Sequence, residues 1–184
     1  MPKTVDHDKY RSELFMKCFD LFAEKGYTEL TMRKIASELN ISTGSLYHYF
    51  SGKFDLFRQM LNGISVSMLN GMDETSTEMS LHDRIEGLFE HVGENELFYR
   101  RIIAVIFDFY RRAGGGSDDL KELNQKYRSS ISGILGIGDD GIATMIFEYL
   151  NGVITQRMVL QGITFKEQTT IFRSMLKTLM KDRS

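Results

Sequence analysis

The sequence is poor in residues that interrupt helices or cross-link a chain. Its 184 residues include one proline, one cysteine and no tryptophan. Proline breaks helix interiors, so its near absence from long periodic segments favours an all-α protein. Cys18 cannot form an intramolecular disulfide, which fits a reducing compartment. It lies on an apolar helical stripe, which predicts a small buried side chain; a redox-sensing thiol is the alternative.

Signals for export and for membrane insertion are also lacking. The first eleven residues are polar and do not resemble a signal peptide. No apolar run approaches the ~18 residues that a membrane span requires. We therefore expect a cytoplasmic protein with no membrane partner. The net charge of −2 is not basic, so binding to nucleic acid requires a local positive patch.

Side chains that could build a catalytic or metal site are scattered. The histidines are His7, His48, His82 and His91, and no Cys-x-x-Cys or His-Glu-x-x-His motif places ligands together. The glycine run at 114–116 lacks the lysine of a phosphate-binding loop. We expect no enzymatic activity, no metal and no cofactor; a helical enzyme is the competing hypothesis.

The stretch from Thr31 to Phe50 predicts two short helices joined by a tight turn. Thr31 and Ser42 are suited to cap the two helices, and Asn40 tolerates the left-handed conformation that ends the first. Apolar residues at helical spacing form the inner faces: Ile35, Ala36 and Leu39 in the first helix, Leu46 and Phe50 at the second. This arrangement is typical of a helix-turn-helix.

The outer face of the second short helix carries side chains suited to DNA. Its members are Thr43, Gly44, Ser45, Tyr47 and His48, with Tyr49 at the border. A helix N-terminus offers free N–H groups and partial positive charge to phosphate, and Gly44 lets another molecule approach closely. A plain helical corner with an aromatic packing cluster is the alternative, but three consecutive rings at 47–49 cannot all face one core.

Apolar periodicity predicts further helices on both sides of this corner. A first helix runs from about Lys9 to Glu24 after a polar tail at 1–8, and Gly26 is its C-cap. Ser51 is the predicted N-cap of a fourth helix, which contains Lys53 in its first turn.

Beyond a polar segment at 70–80, five more helices are predicted, which makes about nine in all. The first of these opens at Ser80 and ends at Gly93. The next, from Leu97 to Tyr110, is apolar on nearly all sides and is expected to be buried on most of them. The remaining three span 118–135, about 139–161 and 165 onward, the last behind a capping box at Thr164 and Glu167.

The run FAEKGYTELTMRKIASELNISTGSLYHYFSGKFDLF, from Phe22 to Phe57, resembles the TetR (tetracycline-repressor-like) family of bacterial transcription regulators. The resemblance rests on the glycine–aromatic–threonine corner at 26–28, the Ile35–Ala36 pair, the S-x-G-S-L-Y segment at 42–47 and Lys53. The later helices match the family in number and order without a motif of their own.

This resemblance implies a homeodomain-like helix-turn-helix domain of three helices at 1–52 and a helical ligand-binding and dimerisation domain at 53–184. By position it implies contacts with base edges from Thr43, Gly44 and Ser45. It assigns phosphates to Tyr47, His48, Tyr49 and Lys53, and further DNA-backbone contacts to Thr31, Arg33 and Ser42. Thr43 stands where many relatives have Lys or Arg, so a bidentate guanine contact is unavailable there.

The resemblance also implies a mechanism. The protein is expected to be a homodimer, joined through its last two helices, that binds a palindromic operator in double-stranded DNA, most often as a repressor. A small-molecule effector in the second domain would shift the fourth helix and release the operator. The modest basic excess near the helix-turn-helix is a separate argument for two copies.

Candidate walls of the effector pocket are apolar and mostly aromatic, which favours a mostly apolar ligand. They are Phe89, Phe98, Phe107, Tyr110, Tyr127, Met145 and Tyr149. A stripe of this kind is also typical of plain core. A ligand-independent DNA-binding regulator with a fully packed second domain is therefore the alternative.

Overall fold

The computed structural model describes residues 7–69, 79–113, 118–138, 140–160 and 162–181. Within these ranges the chain is helical and has no strand, which confirms the predicted all-α class. The nine described helices are α1 (His7–Lys25), α2 (Met32–Glu38), α3 (Thr43–Tyr49), α4 (Lys53–Leu69), α5 (Leu81–Glu94), α6 (Glu96–Ala113), α7 (Asp118–Leu135), α8 (Asp140–Arg157) and α9 (Phe165–Lys181). None of them is long and apolar enough to cross a membrane.

Several predicted features lie outside the described residues. They are positions 1–6 of the polar tail, 70–78 of the polar segment, the glycine run at 114–116, and Asp139 and Gln161 at the two ends predicted for the eighth helix.

The described residues divide into two compact units. The first draws on Met1–Met68 and Ala104–Leu123, and so contains α1 to α3, nearly all of α4 and the second half of α6. The second draws on Leu69–Ile103 and Asn124–Ser184, which include α5, α8 and α9. The predicted domain boundary between residues 52 and 53 stays a prediction.

The apolar faces of the first four helices form the core of the first unit. The buried side chains include Leu14, Cys18, Phe19 and Phe22 from α1, Ile35, Ala36, Leu46 and Phe50 from the helix-turn-helix, and Leu56, Phe57, Met60 and Leu61 from α4. Burying a large apolar side chain contributes roughly 1.5–3 kcal/mol. Desolvation by burial raises the pKa of Cys18 to about 12, so the thiol stays protonated and unreactive. The prediction of a small buried side chain is confirmed.

In the second unit, α5 differs from its predicted extent. It continues through Gly93 to Glu94, so the prediction that Gly93 ends it was wrong. A Cβ at Gly93 would lie 2.9 Å from Phe165 Cδ1, on the first residue of α9. Gly93 therefore serves the close approach of α9. The surrounding core consists of Ile85, Leu88, Phe89, Val92, Ile146, Leu150, Val153, Phe172 and Leu176, among others.

The exposure of α6 also differs from the prediction that it is buried on most sides. Ile102, Val105 and Phe109 are buried, whereas Leu97 is 70% exposed and Phe107 is 55% exposed. The buried residues recur at intervals of three and four, which defines a single inward stripe. Charged residues interrupt the other faces and pair along the helix, Arg100 with Glu96 and Arg111 with Asp108.

Two of the predicted N-caps in this part of the chain form as expected, and a third is displaced. Ser80 Oγ accepts the Asp83 N–H at 3.2 Å, and Thr164 Oγ1 accepts the Glu167 N–H at 3.2 Å, both as predicted. α4 begins at Lys53, so Gly52 and not the predicted Ser51 precedes its first residue.

Asp55 explains this shift in the start of α4. The Ser51 N–H and hydroxyl donate to Asp55 Oδ2 at 2.9 and 3.1 Å, so the serine is a donor here and not a cap acceptor. At the other end of the chain, α8 stops at Arg157, short of the predicted residue 161, and the Arg157 guanidinium donates to the Ile163 carbonyl.

Candidate nucleic-acid interface

The α2–α3 corner is held by its caps and by one left-handed residue. Thr31 Oγ1 accepts the Lys34 N–H at 3.2 Å, and Ser42 Oγ accepts the Ser45 N–H at 2.9 Å, as predicted for both N-caps. Asn40 has φ of +54°, the left-handed conformation predicted for it, and the Ile41 N–H donates to Ala36 O at 3.0 Å. The turn is thereby closed by backbone bonds.

The face of α3 that points away from the core is rich in hydrogen-bonding groups. Leu46 is the buried residue of α3, and Phe50 just beyond it is also buried. Gly44, Ser45, Tyr47 and His48 are exposed, and Thr43 and Tyr49 are half-buried. Tyr47 is 53% exposed, and Ser45 Oγ lies 2.8 Å from Ser42 Oγ. The structure therefore leaves Ser42 and all six residues predicted on this helix exposed or half-buried.

Gly44 has no role in the internal packing. Its φ is not in the left-handed region, and a Cβ built on it would meet only Ser42 Oγ, at 3.8 Å, among the described residues. The fold would accept alanine there. The bare backbone is thus a property of the exposed surface, and a partner that approaches the start of α3 closely would use it.

Positive charge around α3 is modest, as predicted. Arg33 is exposed on α2, and Lys34 Nζ donates to the Glu29 carbonyl at 2.8 Å. Lys25 pairs with Glu38, and Arg58 pairs with Asp55 at 3.2 Å. Internal ion pairs therefore neutralise part of the charge near the corner, which leaves Arg33 as the clearest cation for a DNA backbone.

Lys53 has an internal role that the sequence did not reveal. Its ammonium donates to the carbonyls of Tyr27 at 2.9 Å and Leu30 at 2.8 Å, and it lies 4.0 Å from the centre of the Tyr27 ring. Desolvation lowers the pKa of Lys53. An ammonium has three donors, and two are used within the protein. Its contact with phosphate stays a prediction; the anchoring of the α1–α2 corner is what the geometry establishes.

Residues from α6 complete the same corner. The Tyr27 N–H donates to Asp108 Oδ2 at 2.9 Å, and the Tyr27 ring meets the Phe109 ring edge-on at a centroid distance of 4.8 Å. The Phe109 ring also stacks on Phe57 at 4.6 Å. Sequence reasoning missed Asp108, because a hydrogen bond across 81 residues leaves no local pattern.

The seven predicted ligand residues are divided between the two units. Phe107 lies on the exposed face of α6 in the first unit, as does Tyr110, which is 51% exposed. Phe89 and Tyr149 pack in the core of the second unit, where Tyr149 stacks on Phe172 at 3.7 Å with an interplanar angle of 12°.

The other three candidates also lie in the second unit. Tyr127 stacks on Phe147 at 5.7 Å, Phe98 is half-buried, and Met145 packs against the core. A role in ligand binding stays a prediction for each of the seven.

An open cleft of about 710 Å³ lies within the second unit, at the junction of α5, the α8–α9 connection and the start of α9. Of the predicted ligand residues, Phe89 lines it, together with Phe165 and Ile163. Its walls also carry the charged side chains of Glu90, Glu94, Glu96, Arg157, Lys166 and Arg173. They are more polar than the sequence predicted. Arg157 Nε lies 2.8 Å from Glu96 Oε1, and the Arg173 guanidinium contacts Glu86.

No described part of the chain groups three or more His, Cys, Asp or Glu side chains as a metal site.

The helix-turn-helix region matches a known protein family. Residues 19–60, which include the corner and all of α2 and α3, match the family described as bacterial regulatory proteins, tetR family. The matched segment contains all ten predicted DNA-binding residues. Nine of them have exposed or half-buried side chains, and the tenth, Gly44, exposes its backbone.

Two curated relatives share part of the chain. The nucleoid occlusion factor SlmA of Mannheimia succiniciproducens is 29% identical over 80 residues, which span 41% of this chain and 37% of SlmA. The biofilm operon icaADBC negative transcriptional regulator IcaR of Staphylococcus aureus is 25% identical over 126 residues, which span 66% of this chain and 67% of IcaR. The match to SlmA thus covers well under two thirds of that protein.

Similarity to solved structures extends over nearly the whole chain. A putative transcriptional regulator from Pseudomonas aeruginosa PAO1 superposes with a TM-score of 0.75 at 16% identity, and the match covers 96% of this chain and 92% of that one. At this identity the likeness establishes a shared fold.

Proposed function

Because residues 19–60 match the family described as bacterial regulatory proteins, tetR family, we propose that the chain belongs to that family and is a sequence-specific DNA-binding transcriptional regulator. Its partner is a palindromic operator in double-stranded DNA, and the cytoplasm is where it meets that partner. The observation that carries the proposal is the exposed surface of α3, on which Ser45, Tyr47 and His48 present hydrogen-bonding side chains to solvent.

The chemistry of that face suits a major groove. The second helix of a helix-turn-helix places its N-terminal residues at base edges. Thr43 can set its methyl against a thymine methyl, and Ser45 can hydrogen-bond to a base. Tyr47 and His48, further along the exposed face, suit the flanking phosphates. Arg33 adds charge on the neighbouring helix.

A homodimer would place two copies of α3 on one face of the DNA. Successive major grooves lie roughly 34–36 Å apart, so two copies read two half-sites. The last helix supports this arrangement, because Ile171 is 82% exposed and Met175 is also exposed, one turn apart on α9. Solvent-facing apolar residues at this spacing suit a helical interface with a second copy.

The action we propose is repression that a small molecule relieves. IcaR is a negative regulator, and its likeness to this chain supports the sign of the effect. The cleft of about 710 Å³ is of the size that small-molecule sites have. Phe89 and Phe165 suit the apolar body of an effector, and the charged rim suits one polar end.

A second candidate is a regulator that responds to no ligand. The close stacking of Tyr149 on Phe172 favours it, because these rings fill space that a buried effector would need. A thermal-shift screen against amphipathic small molecules separates the two candidates. A compound that raises the melting temperature and lowers DNA affinity supports the first candidate; stabilising compounds that leave DNA affinity unchanged support the second.

The DNA-binding proposal is tested by letting the purified chain select duplexes from a random-sequence library. The selected sequence should be palindromic. Tyr47→Ala and Arg33→Ala should both weaken binding, and Arg33→Ala should also reduce the slope of affinity against salt by about one. Leu97→Ala is the matched surface control, since Leu97 is exposed outside α2 and α3. Failure to enrich any sequence would sink the proposal.

A further inference from the structure

The second half of α6 reaches the corner that leads into the DNA-reading helices, within the first unit. Asp108 Oδ2 accepts the Tyr27 N–H at 2.9 Å, and the neighbouring Phe109 ring packs edge-on against the Tyr27 ring at 4.8 Å. Two successive residues of α6 thus hold a single residue of the corner, one by a hydrogen bond to a charged acceptor and the other by an aromatic contact.

Gly26 makes room for this contact. Its φ is +76°, in the left-handed region that favours glycine, and a Cβ there would lie 3.0 Å from Asp108 Oδ2. A side chain at this position would push the carboxylate away from the Tyr27 N–H. The residue that turns the chain after α1 therefore also admits the side chain from α6.

The opposite side of the corner is held by α4. Lys53 Nζ donates to the carbonyls of Tyr27 and Leu30 at 2.9 and 2.8 Å. Leu30 directly precedes Thr31, the N-cap of α2. The N–H of Tyr27 is thus bound by α6 and its C=O by α4, immediately before the helix pair that carries the exposed face of α3.

We propose that Asp108 is a positioning residue for DNA recognition: by accepting the Tyr27 N–H, it sets the position of α2 and α3 relative to α6. This inference rests on the proposed DNA-binding function and adds to it a residue that lies outside α2 and α3.

The test uses the full chain and the duplex that the wild type selects from a random library. Asp108→Ala removes the acceptor, and Asp108→Asn keeps an uncharged oxygen in its place. Arg111→Ala is the matched control, because it removes the group that lies 3.5 Å from Asp108 Oδ1 and leaves Asp108 Oδ2, the acceptor of the Tyr27 N–H, in place. Fluorescence anisotropy measures affinity for the selected duplex and for a scrambled one, and amide hydrogen exchange follows the segment at 26–31.

We expect Asp108→Ala to weaken binding of the selected duplex about tenfold, the order of effect that losing a hydrogen bond to a charged group has. Affinity for the scrambled duplex should stay near that of the wild type, because the phosphate-facing side chains are unchanged. Asp108→Asn should restore most of the loss, and Arg111→Ala should show little. Exchange at the corner should rise in Asp108→Ala alone.

If Asp108→Ala keeps the wild-type preference for the selected duplex, the proposal is refuted. An equal loss of affinity for both duplexes also refutes it, because that result would indicate less folded protein. If Asp108→Ala does not fold, Asp108→Glu is used in its place, since it displaces the carboxylate by one methylene. Unchanged selectivity in Asp108→Glu would also refute the proposal. A wild-type chain that selects no duplex instead refutes the DNA-binding function, and the positioning role falls with it.

Discussion

Replacing Gly44 by alanine separates what the fold requires from what DNA requires. The added methyl would meet only Ser42 Oγ at 3.8 Å among the described residues, an ordinary van der Waals distance. Glycine within a helix is less stable than alanine by roughly 0.5–1 kcal/mol. Gly44→Ala should therefore keep the free energy of unfolding or raise it, by at most about 1 kcal/mol, since Gly44 lies near the start of α3.

The effect on DNA binding should have the opposite sign. In the proposed complex the methyl would occupy the surface that we expect a base edge or phosphate to contact at the start of α3. Forcing one extra methyl into a packed contact costs typically about 1–3 kcal/mol. That range corresponds to a roughly 5- to 150-fold weaker Kd for the selected duplex.

Two assays and one control make this test decisive. Urea unfolding followed by circular dichroism gives the free energy of unfolding, and anisotropy gives the Kd. Gly133→Ala is the control, because Gly133 is an exposed glycine of α7 whose Cβ would meet no described atom within 4 Å. It should keep wild-type DNA affinity. If Gly44→Ala also binds with wild-type affinity, the bare backbone does not serve DNA and the reasoning fails.

Three further predictions concern stability and assembly. Hydrogen bonds, first from Gln59 and then from Ser51 and Arg58, lower the pKa of Asp55 to about 2, below its ordinary value. The ionised carboxylate therefore stabilises the fold above about pH 4, and this stabilisation is lost as the pH falls toward 2. Asp55→Asn should therefore lower the free energy of unfolding by about 1 kcal/mol at pH 7, with the difference from wild type vanishing near pH 2 in urea titrations. Gly93→Ala should lower the free energy of unfolding by about 1–3 kcal/mol, because the added methyl would clash with the Phe165 ring. Adding Phe165→Leu should recover part of that loss. Ile171→Glu should shift sedimentation toward monomer while Leu97→Glu, an equally apolar exposed site, does not; a dimer in both variants would place the interface elsewhere.

The parts of the fold that depend on neighbours in sequence were predictable. Thr31, Ser42, Ser80 and Thr164 cap helices through bonds that span three residues, and Asn40 adopts its left-handed conformation within a turn. Such contacts leave a pattern at short spacing, which residue type alone reveals. The orientation of α3 followed from the same local logic, because Leu46 and Phe50 are its apolar residues.

The features that were predicted wrongly or missed depend on residues distant in sequence. Gly93 was predicted to end a helix, yet Phe165 is the reason for a glycine there. The internal contacts of Lys53 were missed because nothing in its own turn indicated the carbonyls of the α1–α2 corner. α6 was predicted to be buried on most sides, but periodicity does not tell which apolar residues a partner element will cover.

The interleaved composition of the first unit limits how this protein can be cut and recombined. A fragment that ends near Met68 would contain every residue predicted to contact DNA, yet it would lack the part of α6 on which Tyr27 and Phe57 pack. Those rings would face water, and the Tyr27 N–H would lose its acceptor. The helix-turn-helix is therefore not a detachable module along the chain. A chimera that transplants it onto another sensor must carry residues 104–111 as well, or rebuild their contacts in the host.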